Sequence, residues 1–260
     1  PQERRGLAHL APLIARLRAG HPGLILLDGG DALAGSPEAE RRAAAADALA
    51  ESSPAPPAIV RAMNALGYDA AVPGNRDLGL GPAAFEAARA ASAFPWLAAN
   101  VTRESAPGAA APPFRPYLVL EREGVRIAVL GLTTPGLPMW VAEGERRGIA
   151  VGDLEEAAAR WLPVLRGRER AHLVIALVHR GRDGESERDE AEAKGLPLPN
   201  AAGRLADSLA GFDLIVSASA HRLSPLEPET GAGERAVPVV APGSRGNGLA
   251  LARCRLERHA

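Results

Sequence analysis

Short continuous runs of apolar residues recur along the 260-residue chain, and helical segments separate them. The segments 23–31, 171–181 and 213–221 have this form, which is typical of strands that are buried on both faces of a sheet. Between them, segments such as 6–20 and 153–166 carry apolar residues at helical spacing. This alternation predicts an α/β fold, a layered sandwich built as a single domain over the whole chain.

Two further predictions concern segments with a weaker pattern. The segment "FPWLAANV" (94–101) is predicted as a strand, and residues 236–257 are predicted as two strands around a glycine-rich turn. The second segment contains Cys254, the one cysteine of the chain, which excludes an internal disulfide. The apolar alternation around Cys254 predicts a buried core thiol.

Charge and composition argue against several classes of partner. The chain has 30 basic and 31 acidic residues, and its net charge of -1 predicts neither a nucleic-acid surface nor one for acidic membranes. Aromatic residues make up only 3% of the chain, too few to predict a stacking platform for single strands. No apolar run reaches the length of a transmembrane span.

Polar residues stand at the ends of four predicted strands. These residues are Asp31, Asn75, His179 and His221. In a layered α/β fold such strand ends gather along one edge of a sheet, so the four side chains are expected to lie together. One carboxylate, one amide oxygen and two imidazoles are the ligand types of a Zn, Mn or Fe hydrolase site. The sequence therefore predicts a divalent metal site at this edge.

Each of the four residues also has a simpler explanation. Asp31 follows two glycines and can cap a turn or helix, and Asn75 after a glycine is common turn chemistry. His179 and His221 can be strand-end histidines that only make hydrogen bonds. Taken together, the four residues favour the metal site, because all of them directly follow predicted strands.

Six blocks then follow one another along the chain. They read "GLAHLAPLIARLRAGHPGLILLDGGDALAGSP", "MNALGYDAAVPGNRDLGLG", "FPWLAANV", "GVRIAVLGLTTP", "LVIALVHRG" and "DLIVSASAH". In this order they resemble the metallophosphoesterase domain of the bacterial 5'-nucleotidase family, over nearly the whole of residues 1–260. The resemblance implies a four-layer α/β/β/α sandwich with a dinuclear metal site, and a periplasmic or extracellular location. It also implies that Asp31 bridges two metal ions and that Asn75, His179 and His221 are ligands.

The chain departs from the family pattern at three places. Arg76 stands where the family has a histidine that contacts the phosphoryl group, and Ser219 stands at the first histidine of a Gly-His-x-His motif. The family's Asp-x-His motif on a first strand is expected before Pro1, and the sequence leaves open whether that strand lies upstream or is absent. Nothing in the chain matches the family's aromatic clamp for a nucleobase, so nucleotide specificity is not carried over.

These departures lead to three hypotheses. Serine is a poorer ligand than imidazole, and Arg76 cannot act as a general acid near neutral pH, so the chain is expected to be a weak or non-catalytic binding or structural module. Its partner would be a protein or a phosphate-containing small molecule. Alternatively, an upstream Asp-x-His motif completes an active phosphohydrolase in which Arg76 stabilises transition-state charge. A third hypothesis is a metal-free anion-binding module that uses Arg76 and the turn Gly243-Ser244-Arg245-Gly246. Arg76 is also a candidate ion-pair partner of Asp31 or Asp77.

Overall fold

The structure is a computed structural model that describes residues 6–34, 57–103, 114–146, 148–179, 185–198, 202–218, 223–229, 237–243 and 246–257. The α-helices are α1 (Leu7–Gly20), α2 (Ala58–Leu66), α3 (Asn75–Gly79), α4 (Pro82–Ala91), α5 (Glu143–Arg146), α6 (Leu154–Pro163), α7 (Glu185–Ala193) and α8 (Ala202–Ser208). The strands are β1 (Leu27–Asp28), β2 (Ala70–Ala71), β3 (Val101–Arg103), β4 (Tyr117–Arg122), β5 (Val125–Thr133), β6 (Ile149–Val151), β7 (Leu173–His179), β8 (Leu214–Ala218), β9 (Leu223–Glu229) and β10 (Val237–Pro242). A 3-10 turn (Leu137–Met139) and a π-helical turn (Val164–Arg168) complete the elements.

The larger sheet contains six of the described strands, in the order β4-β5-β7-β8-β10-β9. Strands β5, β7, β8 and β10 run parallel to one another, and the antiparallel strands β4 and β9 form the two edges. Every residue of β7 is buried, as its continuous apolar sequence predicts. The register pairs Thr133 with His179, and His179 with Ala218, so these strands end side by side.

A smaller parallel pair, β1 and β2, faces the larger sheet. Three apolar cores define the layers. The first lies between the two sheets, the second between β1/β2 and helices α1, α2 and α4, and the third between the larger sheet and helices α6 and α8. The chain is thus the four-layer α/β/β/α sandwich that the family resemblance implies. Among the described residues, every helix is too short or too polar to cross a bilayer.

The predicted strand 94–101 is wrong in most of its length. Only isolated bridges join Trp96 to Ala71 and Leu97 to Arg115, and β3 begins at Val101. The reason is that the segment passes from one sheet to the other. The Leu97 N–H donates to Ala71 in the smaller sheet, whereas the next N–H groups donate towards β4 and β5. A chain that crosses between sheets cannot stay paired with one neighbour.

The last predicted strand is also wrong, because residues 248–257 form no regular secondary structure. Ala250 and Ala252 pack against the core between the sheets, but within the described part of the chain no strand pairs with this segment. Cys254 is exposed, contrary to the predicted buried thiol, because the alternation around it is not held in a sheet.

Candidate metal centre

Three of the four predicted ligands lie together between the two sheets. His179 is the last residue of β7, Asp31 follows β1 by three residues, and Asn75 begins α3 just after β2. The His179 Nε2 atom lies 3.3 Å from Asn75 Oδ1 and 3.6 Å from Asp31 Oδ1. His179 and Asn75 are buried, and the Asp31 side chain is 24% exposed. The cluster is therefore open to solvent on the Asp31 side.

A main-chain carbonyl fixes the orientation of the His179 ring. The Nδ1 atom lies 2.6 Å from the carbonyl oxygen of Gly29, which can only accept a hydrogen bond. The proton of the neutral imidazole is therefore on Nδ1, and the lone pair of Nε2 faces the Asp31 and Asn75 oxygens. A metal ion bound at this point would meet the Nε2 lone pair together with these oxygens.

The spacing of these atoms fits a bound metal ion. Ligand atoms about 2.1 Å from one metal ion, at angles of about 100–120°, lie about 3.2–3.6 Å apart. The two distances from Nε2 match this range. A carboxylate, an amide oxygen and an imidazole suit Zn, Mn or Fe. In the described residues no three His, Cys, Asp or Glu side chains are grouped to hold a metal. The candidate set contains two such side chains, Asp31 and His179, and the Asn75 amide is its third member.

Two glycines allow the three segments to approach so closely. A Cβ atom on Gly74 would overlap the Asp31 carboxylate and stand 2.6 Å from His179 Cε1. Gly30 has φ +95°, and a Cβ there would lie 2.6 Å from His179 Nδ1. The glycine turns that follow β1 and β2 are therefore required for the site as well as for the chain reversal.

Arg76 pairs with Asp31 rather than with Asp77. Its main-chain N–H donates to Asp31 Oδ1 at 3.0 Å, and its Nε atom lies 3.7 Å from Asp31 Oδ2. The Arg76 side chain is 59% exposed. The guanidinium group thus stands at the solvent side of the candidate ligands.

Asp77 is completely buried and accepts three main-chain hydrogen bonds. They come from the N–H groups of Asp31, Leu33 and Gly74 at 2.7–2.9 Å. Burial, together with the negative charge of Asp31, raises the pKa of Asp77 to about 7, and the N–H donors oppose this rise. Burial likewise raises the pKa of Asp28 to about 6. Two carboxyl groups beside the site therefore hold protons more tightly than usual when no metal ion is bound.

Sequence reasoning did not find two polar residues that support this edge. The Thr133 hydroxyl donates to the Pro73 carbonyl at 2.7 Å and so ties β5 to the turn before Asn75. Asn100 bonds the main-chain N–H and carbonyl of Thr133 and also the Gly152 carbonyl. The sequence does carry a signal for both residues, because each is a polar residue that ends an otherwise apolar segment, in "GLTTP" for Thr133 and "LAAN" for Asn100.

Other predicted residues lie outside the described part of the chain. These are His221 and Ser219 of the last candidate motif, together with Ser244 and Arg245 of the glycine-rich turn. The assignment of His221 and Ser219 stays a prediction, and so does the anion-binding turn that contains Ser244 and Arg245.

The chain is similar to nucleotide phosphoesterases and nucleotidases. The chain is 28% identical over 271 residues to the trifunctional nucleotide phosphoesterase protein YfkN of Bacillus subtilis (strain 168), covering 97% of this chain and 18% of that protein. It is 30% identical over 185 residues to a 5'-nucleotidase of Vibrio cholerae serotype O1, covering 68% of this chain and 30% of that protein. The solved structure of calcineurin-like phosphoesterase YfkN from Bacillus subtilis matches with a TM-score of 0.76 and 26% identity, over 95% of this chain and 75% of that one.

No protein-family model matches the chain. The chain spans less than a third of the length of each of these two curated relatives.

Proposed function

Because the chain belongs to the 5'-nucleotidase-like, calcineurin-like phosphoesterases, we propose that it binds a divalent metal ion through Asp31, Asn75 and His179. We further propose that this site binds a phosphate ester and that hydrolysis by this chain is weak or absent. The single observation that supports the metal site is the orientation of His179, whose Nδ1 is held by the Gly29 carbonyl while Nε2 faces two oxygen ligands.

The chain's own residues have separable roles in this proposal. When bound, the metal ion would act as a Lewis acid towards a phosphoryl oxygen. The Gly29 carbonyl sets the tautomer of His179, and the main-chain N–H of Arg76 holds one oxygen of Asp31. Asn75, at the start of α3, supplies a neutral oxygen, so the set carries a single negative charge.

Arg76 supports binding better than it supports catalysis. Its guanidinium lies beside Asp31, is largely exposed, and can donate two parallel hydrogen bonds to a phosphate. It keeps its proton near neutral pH, so it cannot protonate a leaving oxygen, a role worth about 10²–10⁴-fold in rate. A phosphate ester bound here would therefore be held without an acid at the position that Arg76 occupies.

Metal content tests the proposal directly. The purified chain is loaded with Mn²⁺ or Zn²⁺, desalted, and its metal content counted by mass spectrometry. We expect about one metal ion per chain in the wild type and none in His179→Ala, because losing an imidazole ligand removes most of the affinity. His172→Ala is the matched control, since His172 is exposed and bonds Arg126 away from the site. Failure of the wild-type chain to retain metal would contradict the proposal.

Phosphate titration separates the remaining hypotheses. Binding of inorganic phosphate to the metal-loaded chain, lost when EDTA removes the metal, would agree with the proposal. Equal binding with and without EDTA would instead favour the metal-free anion-binding module.

An active phosphohydrolase is the second candidate. The printed names of the relatives, a nucleotide phosphoesterase and a 5'-nucleotidase, favour it. It would need an Asp-x-His motif in the sequence before Pro1 to add ligands to this set. The test is hydrolysis of p-nitrophenyl phosphate with Mn²⁺, by this chain and by the chain extended with any residues that its gene encodes before Pro1. Metal-dependent turnover that appears only in the extended chain would favour this candidate. A periplasmic or extracellular location and a protein partner stay predictions.

A further inference from the structure

Asp77 joins the two loops that carry the candidate ligands from the smaller sheet. Its Oδ2 atom accepts the N–H of Asp31 at 2.7 Å and that of Gly74 at 2.9 Å, and its Oδ1 atom accepts the N–H of Leu33 at 2.8 Å. We propose that Asp77 is a positioning residue of the metal site, which fixes Asp31 for metal binding without touching the metal. This inference rests on the proposed function.

The hydrogen bonds leave Asp77 little capacity to act as a ligand. An ionised carboxylate has about four lone-pair sites, and three of them are used by main-chain N–H groups. The side chain is completely buried. Asp31 differs, because its carboxylate accepts one main-chain N–H and is partly exposed beside the His179 ring. Asp77 therefore orders the loops, whereas Asp31 faces the candidate metal site.

The backbone of Asp31 shows why such an anchor is needed. Asp31 has φ 60°, in the left-handed region that costs a non-glycine residue about 1–2 kcal/mol. The hydrogen bond from its N–H to Asp77 holds the residue at this φ angle, so that its carboxylate lies at hydrogen-bonding distance from the Arg76 N–H and 3.6 Å from His179 Nε2. Without the bond, Asp31 can relax to a common φ angle, which would turn its carboxylate away from the imidazole.

Asp69 offers a matched control at the other end of the same two strands. It precedes β2, and its carboxylate accepts the N–H of Leu26 at 2.8 Å and an Arg122 donor at 2.7 Å. Its side chain is 11% exposed. Removing the charge of Asp69 therefore weakens contacts next to β1 and β2 but leaves the ligand loops bonded to Asp77.

The experiment measures Mn²⁺ affinity and amide hydrogen exchange in the full chain for the wild type, Asp77→Asn, Asp77→Glu and Asp69→Asn. In Asp77→Asn the amide NH₂ must face at least one N–H donor, so at least one loop bond is lost. Asp77→Glu keeps the charge but moves the carboxylate by one methylene group. We expect both Asp77 variants to raise the Mn²⁺ Kd about 10- to 100-fold, the usual effect of a residue that supports a ligand. Asp69→Asn should change the Kd less than about threefold.

Hydrogen exchange is the readout that does not depend on metal. Without metal, peptides that cover residues 29–34 should exchange faster in both Asp77 variants, whereas peptides from β7 should keep the protection that reports an intact fold. Wild-type affinity in Asp77→Glu would assign the effect to charge and overturn the inference, as would unchanged exchange at 29–34. If the wild type binds no Mn²⁺, the proposed function fails. The exchange of residues 29–34 then decides alone whether Asp77 orders the loop.

Discussion

Replacing Arg76 by alanine should change two affinities in opposite directions. The main-chain N–H of residue 76 still holds Asp31 Oδ1 in the variant, so the ligand geometry is kept. What is lost is the guanidinium group, 3.7 Å from Asp31 Oδ2 and 59% exposed. The variant should therefore bind Mn²⁺ more tightly, and the metal-loaded variant should bind phosphate more weakly.

The expected change in Mn²⁺ affinity follows from the exposure of the ion pair between Arg76 and Asp31. An exposed ion pair contributes about 0.2–1 kcal/mol, and a dication about 6 Å from a guanidinium in water is repelled by roughly 1.4 kcal/mol. Releasing Asp31 from Arg76 and removing this repulsion should together lower the Mn²⁺ Kd about 15- to 60-fold at low salt. A charge-assisted hydrogen bond contributes about 1.5–3 kcal/mol, so the phosphate Kd should rise at least about tenfold.

Isothermal titration calorimetry measures the Mn²⁺ Kd of the chain and the inorganic phosphate Kd of the metal-loaded chain. Arg89→Ala is the control, since Arg89 is an exposed arginine paired with Glu86 on α4. The gain in Mn²⁺ affinity should shrink at about 1 M salt, where the Debye length falls to about 3 Å. A Mn²⁺ Kd in Arg76→Ala that equals or exceeds the wild-type value at low salt would refute the reasoning, because it would mean that the guanidinium does not act on the metal ligands.

Three further results are expected. Because the pKa values of Asp28 and Asp77 are higher in the folded chain than their ordinary value of 3.8, the free energy of unfolding without metal should fall by at least ~1 kcal/mol between about pH 4 and about pH 7. Urea unfolding checks this, and Asp28→Asn should flatten the profile; an equally steep profile in the variant would exclude Asp28 as a source. Gly74→Ala should destabilise the chain by about 1–3 kcal/mol and abolish metal retention, because the added Cβ overlaps Asp31. Gly167→Ala, whose Cβ would meet nothing within 4 Å, should do neither. Mn²⁺ at 100 times its Kd should raise the free energy of unfolding by about 2.7 kcal/mol, and no thermal shift at that concentration would contradict metal binding.

The parts of this molecule that the sequence could predict are those set by periodicity and by strand ends. The apolar run of β7 predicts an interior strand, and the polar residues after β1, β2 and β7 predict a common edge. The strand predicted over 248–257 failed for a physical reason. An alternating pattern describes a surface that fits a sheet, but a strand also needs a neighbour to pair with, and pairing is a property of the whole fold.

The role proposed for Asp77 in positioning the ligand loops could not be predicted from the sequence either. An aspartate after "GNR" on a turn suggests a partner for the neighbouring arginine, and nothing local indicates that two N–H groups more than 40 positions earlier will bond to it. The same holds for Asn100, whose partners lie 33 and 52 positions later in the chain. Long-range main-chain acceptors depend on how the loops are docked, which short sequence windows do not contain.

The hydrogen bond between His179 and the Gly29 carbonyl joins residues 150 positions apart. Contacts of such sequence separation form late, because the loop-closure entropy must be overcome before they stabilise the chain. A nascent chain that has exposed Asp31 and Asn75 still lacks the imidazole, so on the proposed ligand set a metal ion would not template the early steps of folding. Capture of Mn²⁺ during refolding would therefore report when the two sheets dock against each other.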